Sequence, residues 1–150
     1  MAELIQNPLF PIYSACAVIL AFNLVILAGL TAANRSKAGG ILNPEDAKLN
    51  QKGKLVDSPE ADPAARFVRA HRNALENIPL FLITSFVYIL VAPSFTVAAS
   101  MLGVFTAARW LHSLVYLAGK QPWRTMFFGI GQLTQVALLI HWLIVVFGGP

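Results

Sequence analysis

The residues with the clearest potential for ligand chemistry stand just before a long apolar run. Read as a helix, Arg69, Arg72, Asn73 and Glu76 recur at spacings of three, four and seven, so their side chains share one stripe. The run from 77 to 92 that follows contains no charged residue. Ionisable groups at the boundary between water and lipid need partners, because lipid does not solvate charge. The stripe therefore predicts a site for a small zwitterionic ligand.

A second polar stripe lies further along the chain. Arg109, His112, Ser113 and Tyr116 recur at three, four and seven, so they share one helical face and can meet the first stripe. These groups either line a wet pocket or bridge to Glu76, and an ion pair from Arg109 to Glu76 would only lock two helices together. We assign Arg109 itself a structural role.

A third set opens the last apolar segment. Arg124 and Thr125 follow a proline and a tryptophan, and Phe128 and Gln132 continue the same helix at helical spacings. A cation and a hydroxyl at a helix N-terminus predict an anion site, since free backbone amides and the helix dipole act on the same charge. Two glycines in this segment, Gly129 and Gly131, predict close approach of another helix.

Together these groups suit a ligand with two carboxylates, one ammonium and an ionisable thiol. Arginines would bind the carboxylates, Glu76 the ammonium, and Arg124 with Thr125 the sulfur. Glutathione carries those groups. The predicted set lies at one level of the bundle and consists of Arg35, Arg69, Arg72, Asn73, Glu76, His112, Tyr116, Arg124 and Thr125.

The amino-acid composition indicates whether this chain is surrounded by water or by lipid. Of its 150 residues 57% are hydrophobic and 12% are charged, with a mean hydropathy of +0.64. Soluble domains have about 25% charged residues, so the chain belongs in a membrane. The sequence pI is about 9.6, but the basic residues stand at membrane boundaries among acids, which argues against nucleic-acid binding.

The positions of the charges predict an all-α membrane protein, a bundle of four antiparallel transmembrane helices. Charged residues are absent between Glu3 and Arg35, between Glu76 and Arg109, and after Arg124. The first and last gaps each accommodate the ~20 apolar residues that cross a bilayer, and a tight turn at Pro93 and Ser94 divides the middle region between two further helices. One membrane domain thus occupies residues 1–150, with spans at about 9–34, 63–91, 95–118 and 123–147 and a polar loop at 35–62.

Two details of this layout are also predicted. Asp62 and Pro63 suit the N-cap and first position of the second helix, and residues 43–46 suit the cap and first turn of a short helix in the loop. Basic residues concentrate in the first and third connections, which places both on the cytoplasmic side.

The chain resembles the membrane-associated proteins in eicosanoid and glutathione metabolism, the MAPEG family. Four blocks carry the resemblance. They are Asn-Pro-Glu-Asp-Ala at 43–47, Arg-Ala-His-Arg-Asn-x-x-Glu at 69–76 with Phe-Val-Tyr at 86–88, Arg-x-x-His-x-x-x-Tyr at 109–116, and Arg124-Thr125 with Gln132. They cover the chain from Arg35 to the end of the fourth span.

The resemblance implies a homotrimer in a bacterial inner membrane or the endoplasmic reticulum, with glutathione bound between adjacent subunits at the cytoplasmic end. It adds Gln132 to the glutathione contacts and makes Arg124, Thr125 and Asp46 the candidates for chemistry. No metal is implied. The sequence departs from its most similar relatives at Phe128, where they have tyrosine, and in a connection at 119–123 that is one residue shorter.

The function expected from these residues is a membrane enzyme that holds glutathione as a thiolate. The thiolate would add to, reduce or isomerise a lipophilic electrophile or peroxide that enters from the bilayer, as a glutathione transferase, peroxidase or prostaglandin isomerase does. The alternative is a non-catalytic trimeric protein that binds a lipid or a partner and uses the polar stripes only to hold its helices together. A hydroxyl beside Arg124 favours the enzyme, since a scaffold does not need one there.

Overall fold

The computed structural model describes residues 5–48, 52–56 and 64–148, without the side chain of Ala47. Within these ranges the chain forms four long helices, as predicted. They are α1 (Phe10–Lys37), α2 (Ala65–Leu90), α3 (Phe95–Leu117) and α4 (Trp123–Phe147). The first connection contains a short 3-10 helix (Pro44–Lys48) and two short parallel strands, β1 (Gly40–Ile41) and β2 (Lys54–Leu55).

The helix ends follow from local chemistry. Pro11 lies in the first turn of α1, where a missing N–H is tolerated. In the last turn of α1, Arg35 and Lys37 stand near the negative end of the helix dipole. The predicted cap residues of the second helix, 62 and 63, lie outside the described residues, and α2 follows Ala64 without a side-chain cap.

Three helices, α1, α2 and α4, are long and apolar enough to cross a membrane. Their outer faces are apolar: Phe22, Ile83 and Leu133 are 59%, 66% and 72% exposed. Such faces require lipid or another protein chain as their surroundings. The most apolar stretch of the remaining helix, α3, has a lower mean hydropathy than those of these three. Its Arg109 and His112 are buried inside the bundle. The architecture is that of a multi-pass membrane protein.

Hydrogen bonds between the helices show their directions. Asn7 Nδ2, just before α1, donates to Ile89 O of α2 at 2.9 Å, and Tyr13 Oη of α1 donates to Leu82 O of α2 at 3.2 Å. Because one residue number rises while the other falls, α1 and α2 are antiparallel. The α1–α3 bonds run from Trp110 Nε1 to Ile19 O at 3.1 Å and from Ser113 Oγ to Asn23 Oδ1 at 3.0 Å, so α1 and α3 are parallel.

Helix α4 lies parallel to α2 by the same reasoning. The bonds between them are Gln132 Nε2 to Asn77 Oδ1, Gln135 Nε2 to Thr84 Oγ1 at 2.8 Å, and Tyr88 Oη with His141 Nδ1 at 2.8 Å. Both residue numbers rise together along this series. The bundle therefore runs up, down, up and down, and the start of α4 lies at the level of the first half of α2.

The buried Gly131 of α4 packs against side chains of α3. At Gly131 of α4, an added Cβ would lie 3.5 Å from Arg109 Cδ and 4.0 Å from a ring atom of Phe105. Phe105 itself stacks on Phe81 of α2 with ring centroids 3.6 Å apart. An added Cβ at Gly131 would thus make ordinary van der Waals contacts, and one at Gly129 would have no neighbour within 4 Å among the described residues, so contacts within the described chain require glycine at neither position.

We expect Gly131→Leu to destabilise the bundle, because its side chain would collide with the Arg109 stem and push α4 away from α3. Overpacking of this kind costs about 1–3 kcal/mol, and thermal unfolding of the purified protein in detergent would measure it. Gly103→Leu is the matched control, since an added Cβ at exposed Gly103 has no neighbour within 4 Å. Equal effects of the two substitutions would contradict the packing argument.

Candidate functional site

A cavity of about 250 Å³ opens between the first half of α2, the second half of α3 and the start of α4. Its lining consists of Asn73, His112, Tyr116, Arg124, Thr125 and Phe128. Five of these six are predicted glutathione contacts. Three polar sets that are far apart in the sequence therefore meet at one place, because the parallel course of α2 and α4 brings residue 73 beside residues 124–128.

The guanidinium of Arg124 lies over an aromatic ring at this cavity. Its Cζ is 4.8 Å from the ring centroid of Tyr116, within the range of a cation–π contact. Tyr116 in turn packs edge-on against His112, with centroids 5.5 Å apart. His112 is 3% exposed, so it forms the rigid inner wall of the site and fixes the ring on which the arginine rests.

Phe128 completes the apolar side of the cavity. Its ring centroid lies 5.9 Å from that of His112. A tyrosine at this position would place a hydroxyl near the cavity, and phenylalanine does not. In this chain the hydroxyls that line the cavity therefore belong to Tyr116 and Thr125.

One residue of the site was missed in the sequence. The side-chain amide of Gln121 lies beside both Arg124 and Thr125, with its terminal atoms 2.6–3.1 Å from theirs. The signal available was its spacing, since Gln121 precedes Thr125 by four residues, which is one helical turn. It was overlooked because it lies in a connection, where helical periodicity is not expected to apply.

The alternative ion pair between Arg109 and Glu76 is wrong. Arg109 is 1% exposed, and its Nη2 donates to Asn73 Oδ1 at 2.6 Å and to Asn73 O at 3.4 Å. Glu76 instead accepts from Arg72 Nε at 3.1 Å on the outer surface of α2. The two residues point in different directions around the axis of α2. Asn73 is on the edge of the stripe that faces α3, and Glu76 is on the edge that faces outward.

The remaining members of the first stripe also point outward in this chain. The side chains of Arg72 and Glu76 are 79% and 57% exposed, and Arg69 is exposed as well. They do not line the cavity, although Asn73 on the same helix does. The predicted cationic cluster is thus divided between the cavity and an exposed surface next to it.

Two further predicted residues lie at a second cavity of about 230 Å³. Arg35, from the last turn of α1, and Asp46, from the 3-10 helix, both line it. The Asp46 carboxylate accepts from Asn43 N at 3.3 Å and from Asn43 Nδ2 at 3.4 Å, so it also caps its own turn. Within one chain Asp46 does not reach the cavity that contains Arg124 and Thr125.

Gln132 lies one turn deeper than the cavity. Its side chain donates to Asn77 Oδ1, and Asn77 Nδ2 donates to Asn73 O at 2.7 Å. Gln132 is thereby connected to the lining through Asn77 without lining it. Among residues 5–48, 52–56 and 64–148, no three His, Cys, Asp or Glu side chains come together as metal ligands would.

Comparisons with known proteins agree with this arrangement. A model of the MAPEG family matches residues 13–144 of the chain. The chain is 32% identical to prostaglandin E synthase of Bos taurus over 143 residues, 93% of this chain and 92% of the relative. It is 32% identical to the Homo sapiens prostaglandin E synthase over 140 residues, 91% of each chain.

A second kind of relative matches almost as much of the chain. Microsomal glutathione S-transferase 1 of Sus scrofa is 32% identical over 136 residues, 87% of this chain and 86% of the relative. The resemblance to the MAPEG family read from the four sequence blocks is confirmed.

The bond between Arg109 and Asn73 generates a prediction about stability. Asn73→Ala removes the shorter of the two hydrogen bonds that the structure gives the Arg109 side chain, and Nε and Nη1 already have no partner among the described residues. We expect a loss of about 3 kcal/mol, since the buried charge loses its side-chain acceptor and keeps only the longer bond to the backbone oxygen of residue 73. Thermal unfolding of the purified protein would measure it.

A double substitution tests the cause of that loss. Adding Arg109→Met to Asn73→Ala should recover much of the stability, because the methionine fills the same space without a charge that needs a partner. Two effects that simply add would show that the residues do not interact and would contradict this assignment.

Proposed function

This chain belongs to the MAPEG family, and from that premise we propose that it is a membrane enzyme that activates glutathione as a thiolate. Its second substrate is a lipophilic electrophile or peroxide that the thiolate adds to, reduces or isomerises. The relatives named for glutathione transfer and prostaglandin E synthesis support this chemistry. The observation that carries the proposal is the cavity in which Arg124 and Thr125 stand together at the start of α4.

The thiolate is the reactive form of glutathione, and it needs stabilisation. A free thiol has a pKa of about 8.5, so it is mostly protonated at neutral pH. Each unit by which its pKa falls requires about 1.4 kcal/mol of preferential interaction with the anion. The Arg124 guanidinium, the Thr125 hydroxyl and the N-terminal dipole of α4 act on one place, which makes it the favoured position for the sulfur.

The rest of glutathione extends from the sulfur toward the charged surface of α2. Arg69 and Arg72 bind its carboxylates, Glu76 binds its ammonium, and Asn73 lies between that surface and the cavity. The cavity of one chain is about 250 Å³, below the roughly 300–1,000 Å³ of ordinary small-molecule sites. One chain alone therefore offers an incomplete site.

A homotrimer completes it. A neighbouring subunit that packs against the exposed side of α2 and α4 covers the space between the cavity and the charged surface. This neighbour supplies Arg35 for a carboxylate and Asp46 as a proton donor or acceptor, since both lie at the second cavity of their own chain. In α4, buried residues are limited to Gly131, Gln135 and Leu138, so most of the described helix is free to contact a partner or lipid.

The site faces the cytoplasm in this proposal, since the basic residues of the first and third connections lie at the same end of the bundle. The lipophilic substrate enters between helices from the bilayer and reaches the sulfur along the apolar wall that contains Phe128. Glutathione reaches the same sulfur position from water. A site at the end of the bundle is accessible to both substrates.

Arg124→Leu tests the proposal by separating chemistry from binding. Removing one preorganised donor from a developing anion costs about 3–4 kcal/mol, so turnover with glutathione and an aromatic electrophile should fall by about two to three orders of magnitude. Glutathione should still bind within about tenfold of the unmodified protein, because its carboxylates and ammonium keep their partners. The ultraviolet absorbance of the bound thiolate should disappear.

Lys120→Leu is the matched control, since it removes a cation four residues before Arg124 that does not line the cavity. It should leave turnover and thiolate absorbance nearly unchanged. If the unmodified protein binds glutathione without thiolate absorbance or turnover, the site is not catalytic, and the protein is a lipid- or partner-binding scaffold.

Glu76→Gln tests the placement of the ammonium. In the structure Glu76 pairs with Arg72 at an exposed surface, and pairs of this kind contribute about 0–1 kcal/mol to stability. Calorimetry should therefore show a clear loss of glutathione affinity, while the trimer and its thermal midpoint remain. Dissociation of the trimer with normal binding by the residual protein would show that Glu76 holds subunits together instead.

A further inference from the structure

The amide of Gln121 has only one orientation that suits both of its neighbours. With its oxygen toward Arg124, Oε1 accepts from Nε at 3.1 Å and from Nη2 at 2.6 Å, and Nε2 donates to Thr125 Oγ1 at 3.1 Å. The opposite orientation would direct the amide N–H groups at the guanidinium. Since a guanidinium has only donors, that arrangement would leave donors facing donors.

This orientation decides which hydrogens remain for a ligand. Arg124 has five N–H groups, and Gln121 uses the one on Nε and one on Nη2, so both on Nη1 and one on Nη2 remain. The Thr125 hydroxyl accepts from Gln121, so its own hydrogen is free to be donated. The amide thus leaves both residues as donors toward a third group, and an anion is the group that such donors favour.

The backbone holds Gln121 in place by a well-defined turn. Gly119 has a φ of +70°, and its N–H donates to Tyr116 O at 3.1 Å, while Lys120 N donates to Val115 O at 3.0 Å. These two bonds form a Schellman motif that ends α3. Gln121 and Pro122 then lead directly into α4, so the amide stands within one turn of Arg124 and Thr125.

We infer that Gln121 is a positioning residue for the sulfur of glutathione, which it serves by orienting the donors of Arg124 and Thr125. This inference rests on the proposed function, because it concerns the same anion. It also explains why an amide suits the position. A carboxylate would accept from Arg124 equally well, but it would also accept the Thr125 hydrogen and add a negative charge beside the sulfur.

Two substitutions distinguish these roles in the purified protein. Gln121→Met keeps the length of the side chain and loses both polar contacts, and Gln121→Glu keeps the contact with Arg124 but reverses the one with Thr125, whose hydroxyl then donates to the carboxylate. The readout is the pH midpoint at which bound glutathione gains thiolate absorbance. We expect Gln121→Met to raise it by about one unit, which is tenfold less thiolate at neutral pH, and Gln121→Glu to raise it further.

Binding of S-methylglutathione separates positioning from general damage. Its sulfur carries no ionisable proton, so both variants should bind it within about twofold of the unmodified protein. Turnover at neutral pH should be lower in Gln121→Met than in the unmodified protein, and lower still in Gln121→Glu. The loss in Gln121→Met should shrink as the pH rises through the new midpoint. Gln6→Met makes the same chemical change at an exposed position on the opposite end of the bundle and should leave the midpoint unchanged.

The outcomes are separable from those of the proposed function. Absence of thiolate absorbance in the unmodified protein overturns the proposed function itself. A normal signal in the unmodified protein with the same midpoint in both Gln121 variants overturns the role of Gln121 and leaves the function intact. A midpoint raised by Gln121→Met but unchanged by Gln121→Glu would show that the contact with Thr125 does not matter, which also contradicts the inference.

Discussion

The structure depends on a buried guanidinium that cannot reach water. Arg109 lies inside the bundle, 1% exposed, and the oxygens of Asn73 on α2 are its hydrogen-bond acceptors in the described structure. An apolar interior makes a misplaced charge very costly, so this contact allows little sliding between α2 and α3. The aliphatic part of the Arg109 side chain also packs beside Gly131 of α4. One side chain therefore sets the relative positions of three helices, and Asn73, its partner, lines the cavity.

The other polar contacts between α2 and α4 extend that register along the bundle. Gln132 meets Asn77, Gln135 meets Thr84, and His141 meets Tyr88, at three successive levels along both helices. Without water, each of these groups would be unsatisfied if α4 shifted by a turn. The start of α4 is consequently fixed at the level of Asn73, and Arg124 stands over Tyr116 rather than in the aqueous phase beyond it.

Much of this fold could be predicted from the sequence, because gaps between charged residues define the spans and short connections define their order. The division of the polar cluster between the cavity and the exposed surface could not be predicted from the sequence. Residues 69, 72, 73 and 76 share a stripe by spacing, but spacing does not reveal which edge of a stripe faces the bundle, and this error produced the ion pair of Arg109 with Glu76. Gln121 was missed for another reason: its contacts follow from the turn at Gly119, which no periodic pattern predicts.

In the proposed function, the site lies at the end of the bundle because its two ligands have different requirements. An anionic sulfur requires donors and a helix N-terminus, which the apolar middle of the bundle does not offer, whereas a lipophilic substrate requires access from the bilayer. The cavity meets both needs, with Arg124 and Thr125 on one side and Phe128 on the other. Since Phe128 brings no hydroxyl, fewer donors are available to the sulfur than a tyrosine would give. On the inference drawn for Gln121, the orientation of the remaining donors then has a larger share in stabilising the anion, and the connection that precedes α4 belongs to the proposed site as much as the helix does.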